Sequence, residues 1–344
     1  MANPVLTEAI DAVASRRSLS QEQASAVLRV IMAGDAEEVE IAGFLIGLRT
    51  KGETEEELAG LAATMRALAT PVKCDRTDLL DTAGTGGGRT TFNVSTTAAL
   101  IAAGAGCAVA KHGNRSATSL SGSADVLEAL GAKLDVPPEG VARSIDEAGF
   151  GFLFAPAHHA ATRFVVPVRK ELAVRTIFNF LGPLTNPAGA RRQLIGVADP
   201  AFLDVMAGAL ARLGVDRALL VSSADGLDEM STSGETHVVE VNETTIERYT
   251  VTPEDVGLPT ASFEEVTGGT PAENAATTRA ILAGEAGPRR DIAVLNAGAA
   301  IYAAGQAASI AEGVKAAQEA IDSGAAADTL QQYVRLSEEL SSIL

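Results

Sequence analysis

The residues best suited to chemistry form one stretch, Asp81-Thr82-Ala83-Gly84-Thr85-Gly86-Gly87-Gly88-Arg89-Thr90-Thr91-Phe92-Asn93-Val94-Ser95-Thr96. Apolar Leu79 and Leu80 lead into it and a run of small residues, Thr97 to Ala110, follows. That pattern predicts strand, glycine loop, helix. Glycine lets the backbone turn sharply and come close to a ligand. A helix start adds free N–H groups and the positive end of the dipole, which suit phosphate. Asn93, Ser95 and Thr96 add side-chain donors there. A dinucleotide fingerprint is excluded because Arg89 stands where its third glycine belongs, and a Walker loop because no lysine closes the run. Alone, the stretch fits an ordinary strand-to-helix turn as well as a phosphate cradle.

Three further groups carry chemistry. Lys111-His112-Gly113-Asn114-Arg115 follows a short apolar strand, and strand carboxyl ends line the ligand crevice of parallel α/β sheets. A cationic and amide cluster there points to phosphate and carboxylate, although a solvated strand end is the commoner fate of Lys and Arg, and a structural role the commoner fate of His112. Ser116, Thr118, Ser119, Ser121 and Ser123 extend the polar run, with Ser123 as N-cap of the next helix. Asp228-Glu229 follows the apolar strand Ala218–Val221 and a loop with Gly226. Adjacent carboxylates repel, so they are solvated or sit on a cation; magnesium takes one or two carboxylates plus phosphates and water. By itself the pair reads as a solvated loop, and the phosphate-binding stretches shift the weight toward a phosphate-bridging metal. Arg169-Lys170 and Arg175 precede Asn179–Pro187; arginine's planar fork suits a carboxylate, and a helix-surface arginine is the commoner alternative. No Ser-His-Asp or Cys-His nucleophile stands out.

These groups need elements to hold them. Residues up to about Thr70 read as wholly helical: Ser20 and Gln23 form a capping box, Gly34 a C-cap, and Thr54 with Glu57 another cap. From about Asp78 strands alternate with helices. Strands are expected at Leu79–Thr82, Ala108–Lys111, Phe150–Phe154, Leu194–Val197, Ala218–Ser222 and Ile292–Leu295, with helices such as Ser123–Leu130, Pro138–Ala148 and Ala201–Leu213. His237–Val241 and Ile246–Thr250 read as an antiparallel hairpin, and helices return from Pro271. The fold class is therefore α/β: a small N-terminal all-helical domain, 1–72, and a larger domain, 73–344, with a mostly parallel sheet flanked by helices.

Composition narrows the partners. The chain has 344 residues, 47% of them hydrophobic, and a net charge of −17, which describes a folded protein without the basic surface of a nucleic-acid binder. Anionic substrates must then be held locally, by a few cations or a metal. Cys74 and Cys107 are the two cysteines; they suggest neither a disulfide framework nor a zinc site, so a cytoplasmic home is expected. The N-terminus lacks a signal-peptide core, and the longest uncharged runs are too rich in Gly, Ala, Asn and Thr for a membrane span.

Taken together, the motifs resemble the anthranilate phosphoribosyltransferase family along nearly the whole chain. The matching stretches are Gly84-Thr85-Gly86-Gly87, Asn93-Val94-Ser95-Thr96, Lys111-His112-Gly113-Asn114-Arg115, Gly122-Ser123-Ala124-Asp125, Phe152-Leu153-Phe154-Ala155-Pro156, Pro167-Val168-Arg169, Arg175-Thr176-Ile177-Phe178-Asn179, Leu181-Gly182-Pro183-Leu184-Thr185-Asn186-Pro187 and Asp228-Glu229. Their order and approximate spacing match as well. The resemblance implies an α/β domain shared with pyrimidine nucleoside phosphorylases, joined to the helical domain through a helical segment near 160–185. It also implies a homodimer built through the helical domain and Mg2+, about two ions bound with phosphoribosyl pyrophosphate. The implied reaction passes the phosphoribosyl group to the amine of anthranilate, a step of tryptophan biosynthesis.

By the same resemblance, Gly84, Thr85, Gly87, Thr91, Asn93, Ser95, Thr96, Lys111 and Ser119 bind phosphoribosyl pyrophosphate. Gly88, Val94, His112, Gly113, Asn114, Arg115, Ser116, Ala117, Thr118 and Ser123 extend the same phosphoribosyl pyrophosphate site. Asn114, Arg169 and Gly84 contact anthranilate, with His112 and His159 lining its channel, and Ser95, Asp228 and Glu229 hold magnesium. Lys111, Asn114 and Arg169 are the residues expected to act in catalysis. The glycine loop departs from the family: Gly88 stands where Asp is common, Arg89 follows, and the loop is slightly shorter before Asn93. Two rival functions remain at this level. A phosphorylase of the same fold would not need the carboxylate pair, and a non-catalytic nucleic-acid binder would carry a basic surface.

Overall fold

The computed structural model describes residues 2–116 and 120–341. Four helices open the chain: α1 (Pro4–Ala14), α2 (Gln21–Ala33), α3 (Glu38–Lys51) and α4 (Glu55–Leu68). Their ends are set locally. Ser20 with Gln23 and Thr54 with Glu57 form the expected capping boxes, and Gly34 closes α2 in the left-handed conformation at φ 81°. Glu57 also takes Lys51 Nζ at 2.9 Å and Leu19 N at 2.9 Å, so a fully buried carboxylate is paired rather than orphaned.

The larger domain starts with β1 (Leu79–Gly84), α5 (Val94–Gly104), β2 (Ala108–Gly113), α6 (Ser123–Ala129), α7 (Pro138–Ala148) and β3 (Phe150–Phe154). Three short helices follow, α8 (Ala155–His158), α9 (Val166–Leu172) and α10 (Phe178–Leu181), then β4 (Arg192–Gly196), α11 (Leu203–Leu213) and β5 (Arg217–Ser223). The hairpin β6 (Thr236–Asn242) and β7 (Thr245–Val251) precedes α12 (Pro271–Leu282), α13 (Pro288–Ala303), α14 (Ile310–Asp322) and α15 (Ala325–Ser341). The sheet order is β3-β2-β1-β4-β5-β6-β7. β1 to β5 run parallel, and β6 and β7 antiparallel.

Two of the sequence expectations fail here. Ile292–Leu295 is not a strand but lies inside α13. That helix is buried on nearly every side, from Ile292 to Ile301, so it has no polar face, and a short apolar run in it reads like an interior strand. Ser123 is not the N-cap of α6; Gly122 is, with its N–H bonded to Asp125 at 2.8 Å. Ser123 Oγ instead donates to Asn114 O at 3.2 Å.

One apolar cluster holds α5, α13, α14 and α15 against one sheet face. A second runs from Leu28, Phe44 and Leu58 in the opening helices through Val165, Val168, Phe178 and Phe180 to Met206 and Leu220. The segment around α9 and α10 is thus the packing bridge between the helical bundle and the sheet. β1 has β2 on one side and β4 on the other. The chain therefore winds away from β1 in both directions, and a crevice opens at the carboxyl ends of these strands.

Candidate active site

The glycine loop leaves β1 at that crevice. Thr85 N donates to Gly196 O at 2.8 Å, and Thr85 Oγ1 accepts from Ala198 N at 3.1 Å, so the loop is pinned to the end of β4. Gly86 and Gly87 have φ of 64° and 86°, the left-handed region where a side chain is strained. The polar side chain of Arg89 turns away from the crevice: its guanidinium lies 3.4 Å from the centre of the Phe263 ring.

Asp228 and Glu229, reached through the loop after β5, close against this turn. Asp228 Oδ2 accepts from Gly86 N at 2.9 Å. A Cβ at Gly84 would lie 2.9 Å from the same oxygen, and one at Gly88 would lie 2.8 Å from Oδ1. Glu229 Oε2 accepts from Thr91 Oγ1 at 2.9 Å. The turn is held from behind by Asn296 of α13, whose amide bonds Met230 N at 3.0 Å and Met230 O at 2.9 Å. Burial raises both carboxylates above their usual range. Glu229 is pushed up to about 8, first by desolvation and then by the charge of Asp228, against the pull of Thr91, the Ser95 backbone and Lys111.

Lys111 comes from β2 and runs beneath the loop. It is 1% exposed, and its Nζ donates to Thr82 O at 2.5 Å, to Thr82 Oγ1 at 3.2 Å and to Ser95 Oγ at 3.4 Å. Desolvation lowers its pKa to about 8, and the charges of Asp81 and Glu229 oppose that. Asp81 is fully buried, accepts from His112 N at 3.0 Å and Asn186 Nδ2 at 2.8 Å, and is raised to about 6 by burial. Together Asp81, Lys111 and Glu229 put a lysine between two acids under the crevice floor.

The remaining expected residues divide. Asn93 heads α5, where its Oδ1 accepts from Ser121 Oγ at 2.8 Å and Asn274 Nδ2 at 2.9 Å and its Nδ2 donates to Ser121 O at 3.1 Å. Val94 and Thr96 are buried, so at the start of α5 it is Ser95 that lies beside Lys111. Asn114 is exposed at the end of β2 and its Oδ1 accepts from Arg115 N at 2.7 Å. Arg115 is engaged by Asp125 at 3.0 Å and Glu128 at 2.5 Å, and Ser116 N bonds Asp125 at 3.2 Å. Ala117, Thr118 and Ser119 lie outside the described residues. Gly113 is closed on one side by Phe152 and Ser123.

A second wall faces the crevice. The His112 and His159 rings are 5.1 Å apart. His112 Nδ1 is 3.1 Å from Gly182 O, and the Nε2 atoms of both rings are buried without a partner among the described residues. Burial drives His112 down to about 3 and His159 to about 4, so both are neutral imidazoles. His158, by contrast, is tied to Thr70 O at 2.9 Å. Arg169 on α9 is half-buried, 3.5 Å from Asn179 Oδ1 and beside the Phe178 ring. Arg175 lies against the glycine loop: a Cβ on Gly87 would overlap its Nη1.

Sequence reading gave no role to Asp81, Asn296 or Gly196. A lone aspartate in an apolar strand was the signal for Asp81. Gly196 is needed because a Cβ there would overlap the Asp228 carbonyl, and no local pattern announces it.

Could magnesium sit here? No group of three or more His, Cys, Asp or Glu side chains suited to a metal exists among the described residues. Two half-buried carboxylates with raised pKa values, next to the Ser95 hydroxyl, fit a hard cation that takes its other ligands from phosphate and water.

A helical bundle set on a parallel sheet, with a glycine loop against paired acids at the switch point, defines a glycosyl-transfer class of α/β enzyme. The glycosyl transferase family matches in two parts, its helical bundle domain over residues 7–69 and its a/b domain over 76–327. The anthranilate phosphoribosyltransferase of Moorella thermoacetica is 49% identical over 96% of this chain and 98% of its own length. That of Rubrobacter xylanophilus is 50% identical over 98% and 99%. Among solved structures, the Thermus thermophilus enzyme superposes with a TM-score of 0.92 at 49% identity, covering 96% of this chain and 99% of its own. The Saccharomyces cerevisiae enzyme, in complex with PRPP and Mg, gives 0.90 at 28% identity, covering 98% and 99%. The chain belongs to the anthranilate phosphoribosyltransferase family.

Proposed function

We propose that this chain transfers the phosphoribosyl group of phosphoribosyl pyrophosphate to the amine of anthranilate, giving N-(5-phosphoribosyl)anthranilate and pyrophosphate. The observation that carries the reading is the glycine loop closed against Asp228 and Glu229, with Lys111 beneath it. The aromatic amine is a weak nucleophile, so the ribose carbon must become electrophilic as pyrophosphate leaves. Backbone N–H groups at Gly87 and Gly88 of the loop and at the start of α5 by Ser95 receive the phosphates. Lys111 contributes a fixed positive charge on the leaving-group side, preorganised by Thr82. Asp228, Glu229 and Ser95 would hold magnesium, which when bound neutralises charge on the departing diphosphate.

On the facing wall, Arg169 and Asn114 grip the anthranilate carboxylate and aim its amine. His112 and His159 line the aromatic slot without adding charge, since both stay neutral. Arg115 acts through the loop it braces, because its guanidinium is occupied by Asp125 and Glu128. The functional division falls near residue 72, and the helical unit makes a homodimer. Support for the dimer comes from exposed Val39 and Ile46 on α3, at 77% and 37%, beside Val166 and Val174 at 52% and 44%; a monomer rarely leaves such a patch in water. Both cysteines are free thiols, which suits the cytoplasm. No helix among the described residues is long and apolar enough to cross a membrane.

The test is direct: purified protein with both substrates and magnesium, followed by product fluorescence. Absence of product together with phosphorolysis of a pyrimidine nucleoside would replace this reading with the phosphorylase one, and a shift of labelled DNA at low salt would favour the nucleic-acid binder.

A further inference from the structure

Arg175 has a cation's cost and no visible compensation. Its guanidinium donates to no described residue, and its Nη2 is buried without a partner. Burying an unpaired charged N–H is expensive. Nor is the backbone that carries it loose. Arg49 of α3 donates to its carbonyl at 2.8 Å, and the next residue, Thr176, is fixed by Asn179 Oδ1 at 3.0 Å. The Phe180 ring lies 5.7 Å from the guanidinium carbon.

Its direction is equally specific. A Cβ on Gly87 would overlap Nη1, so the guanidinium rests on the loop backbone itself, at a glycine whose φ of 86° a side chain would strain. The positive charge is felt by Asp228, which meets the same loop at Gly86 N, yet no ion pair within 4.0 Å joins them among the described residues. The loop thus meets a carboxylate at Gly86 and Gly88 and a guanidinium at Gly87 that form no ion pair with each other. An anion lying on the glycine backbone would meet the fork of Arg175 edge-on.

We infer that Arg175 is a direct ligand of the pyrophosphate half of the substrate, gripping it at Gly87 of the loop. This rests on the phosphoribosyl-transfer reading above. A fork that gives two parallel hydrogen bonds is matched to phosphate oxygens as a lysine is not. Anthranilate's carboxylate is a poorer fit, because Arg175 lies on the phosphate loop while Arg169 lies beside Asn179 and Phe178. The placement also joins substrate to both domains, since the backbone that carries Arg175 is held by α3.

The experiment is calorimetric titration of the full chain with inorganic pyrophosphate in saturating magnesium, for wild type, Arg175→Gln and Arg175→Lys, with thermal melts and anthranilate kinetics alongside. Arg175→Gln keeps a polar, hydrogen-bonding side chain but is shorter and loses the charge, while Arg175→Lys keeps the charge and loses the fork. The expected result is pyrophosphate affinity about ten- to a hundredfold weaker for Arg175→Gln and intermediate for Arg175→Lys, with the anthranilate KM unmoved. A well-folded Arg175→Gln that binds pyrophosphate like wild type overturns the proposal, as does a loss confined to anthranilate. Should Arg175→Gln fail to fold, Arg175→Lys decides: pyrophosphate affinity equal to wild type overturns it. If wild type itself binds no pyrophosphate with magnesium, the phosphoribosyl-transfer reading falls first and this inference with it.

Discussion

Gly88 offers a sharp test because the sequence and the structure disagree about it. Family resemblance marks it as the position of a missing aspartate, and restoring that residue should be tolerated if glycine is not needed for positive φ. The φ condition is met, since Gly88 is not among the residues with positive φ. Space is not available. A Cβ at Gly88 would lie 2.8 Å from Asp228 Oδ1, 2.9 Å from Gly226 O and 3.0 Å from Asp228 N. Two of those atoms are backbone, and Gly226 O already accepts from Arg89 N at 3.1 Å. Gly88→Ala must therefore push the turn that carries Asp228 away from the loop and weaken the bond from Gly86 N. Overpacking of this kind costs roughly 1–3 kcal/mol. Charged against the bound conformation, that becomes about a 5- to 150-fold loss in kcat/KM for phosphoribosyl pyrophosphate. Gly88→Asp should lose more, because it adds a third carboxylate beside Asp228 and Glu229. Initial rates by product fluorescence, with each substrate varied in turn and melting curves recorded, separate the outcomes. Gly88→Ala with an unchanged melt and unchanged kcat/KM for phosphoribosyl pyrophosphate would refute the steric argument, and a loss confined to anthranilate would show the loop is misassigned.

The other predictions are shorter. Arg169→Ala should lower kcat/KM for anthranilate by about one to two orders of magnitude, mostly through KM, with Arg169→Lys recovering part; a raised KM for phosphoribosyl pyrophosphate instead would make Arg169 a phosphate ligand. Excess EDTA should abolish turnover, and Asp228→Asn with Glu229→Gln should weaken phosphoribosyl pyrophosphate far more than anthranilate; full activity in EDTA would remove the metal from the account. Glu229 is raised to about 8, so in the free protein it is protonated below that pH, and binding a cation must expel the proton. Affinity for magnesium with phosphoribosyl pyrophosphate should then fall as pH drops from about 8 toward 6, and titration in buffers of different ionisation enthalpy should detect proton release; no buffer dependence would count against it. Val39→Asp with Ile46→Asp should convert a dimer to a monomer in light scattering, and a wild-type monomer at micromolar concentration would contradict the dimer.

What could be read ahead of the structure was whatever the backbone writes locally. Capping boxes at Ser20 and Thr54 and the left-handed Gly34 fix helix ends within a few residues, and they stand where expected. The glycine loop was legible because close approach needs glycine in sequence. What stayed hidden depends on residues far apart in the chain. Gly196 is required by the carbonyl of Asp228, and Asn296 reaches Met230 from a helix in the last third of the chain. The apolar run at Ile292–Leu295 misled because burial on all sides erases the period that distinguishes a helix from a strand. Arg115 looked like a phosphate ligand because cations after a β-strand often are, and only the fold shows Asp125 and Glu128 already around it.

The same distinction explains how a chain of net charge −17 can bind two anions. Coulomb interactions between exposed charges fade over about 8–10 Å in salt, so the bulk of the acidic surface is irrelevant to a buried crevice. What matters is which cations are left unspent there. Arg115, Arg143 and Arg212 are committed to surface acids, as Lys51 is to Glu57. Arg169 and Arg175 face the crevice with no ion pair among the described residues, and Lys111 lies under its floor bonded to neutral oxygens. Arg175 and Lys111 thus lie at the glycine loop without a carboxylate partner within 4.0 Å among the described residues, with Arg169 apart from them beside Asn179 and Phe178, while Asp228 and Glu229 are held protonation-prone by burial. Before ligands arrive burial works against full charge on the two acids, and a divalent cation accompanying the diphosphate would favour their charged form. Attraction for the anion and demand for the metal are then consequences of the same desolvation.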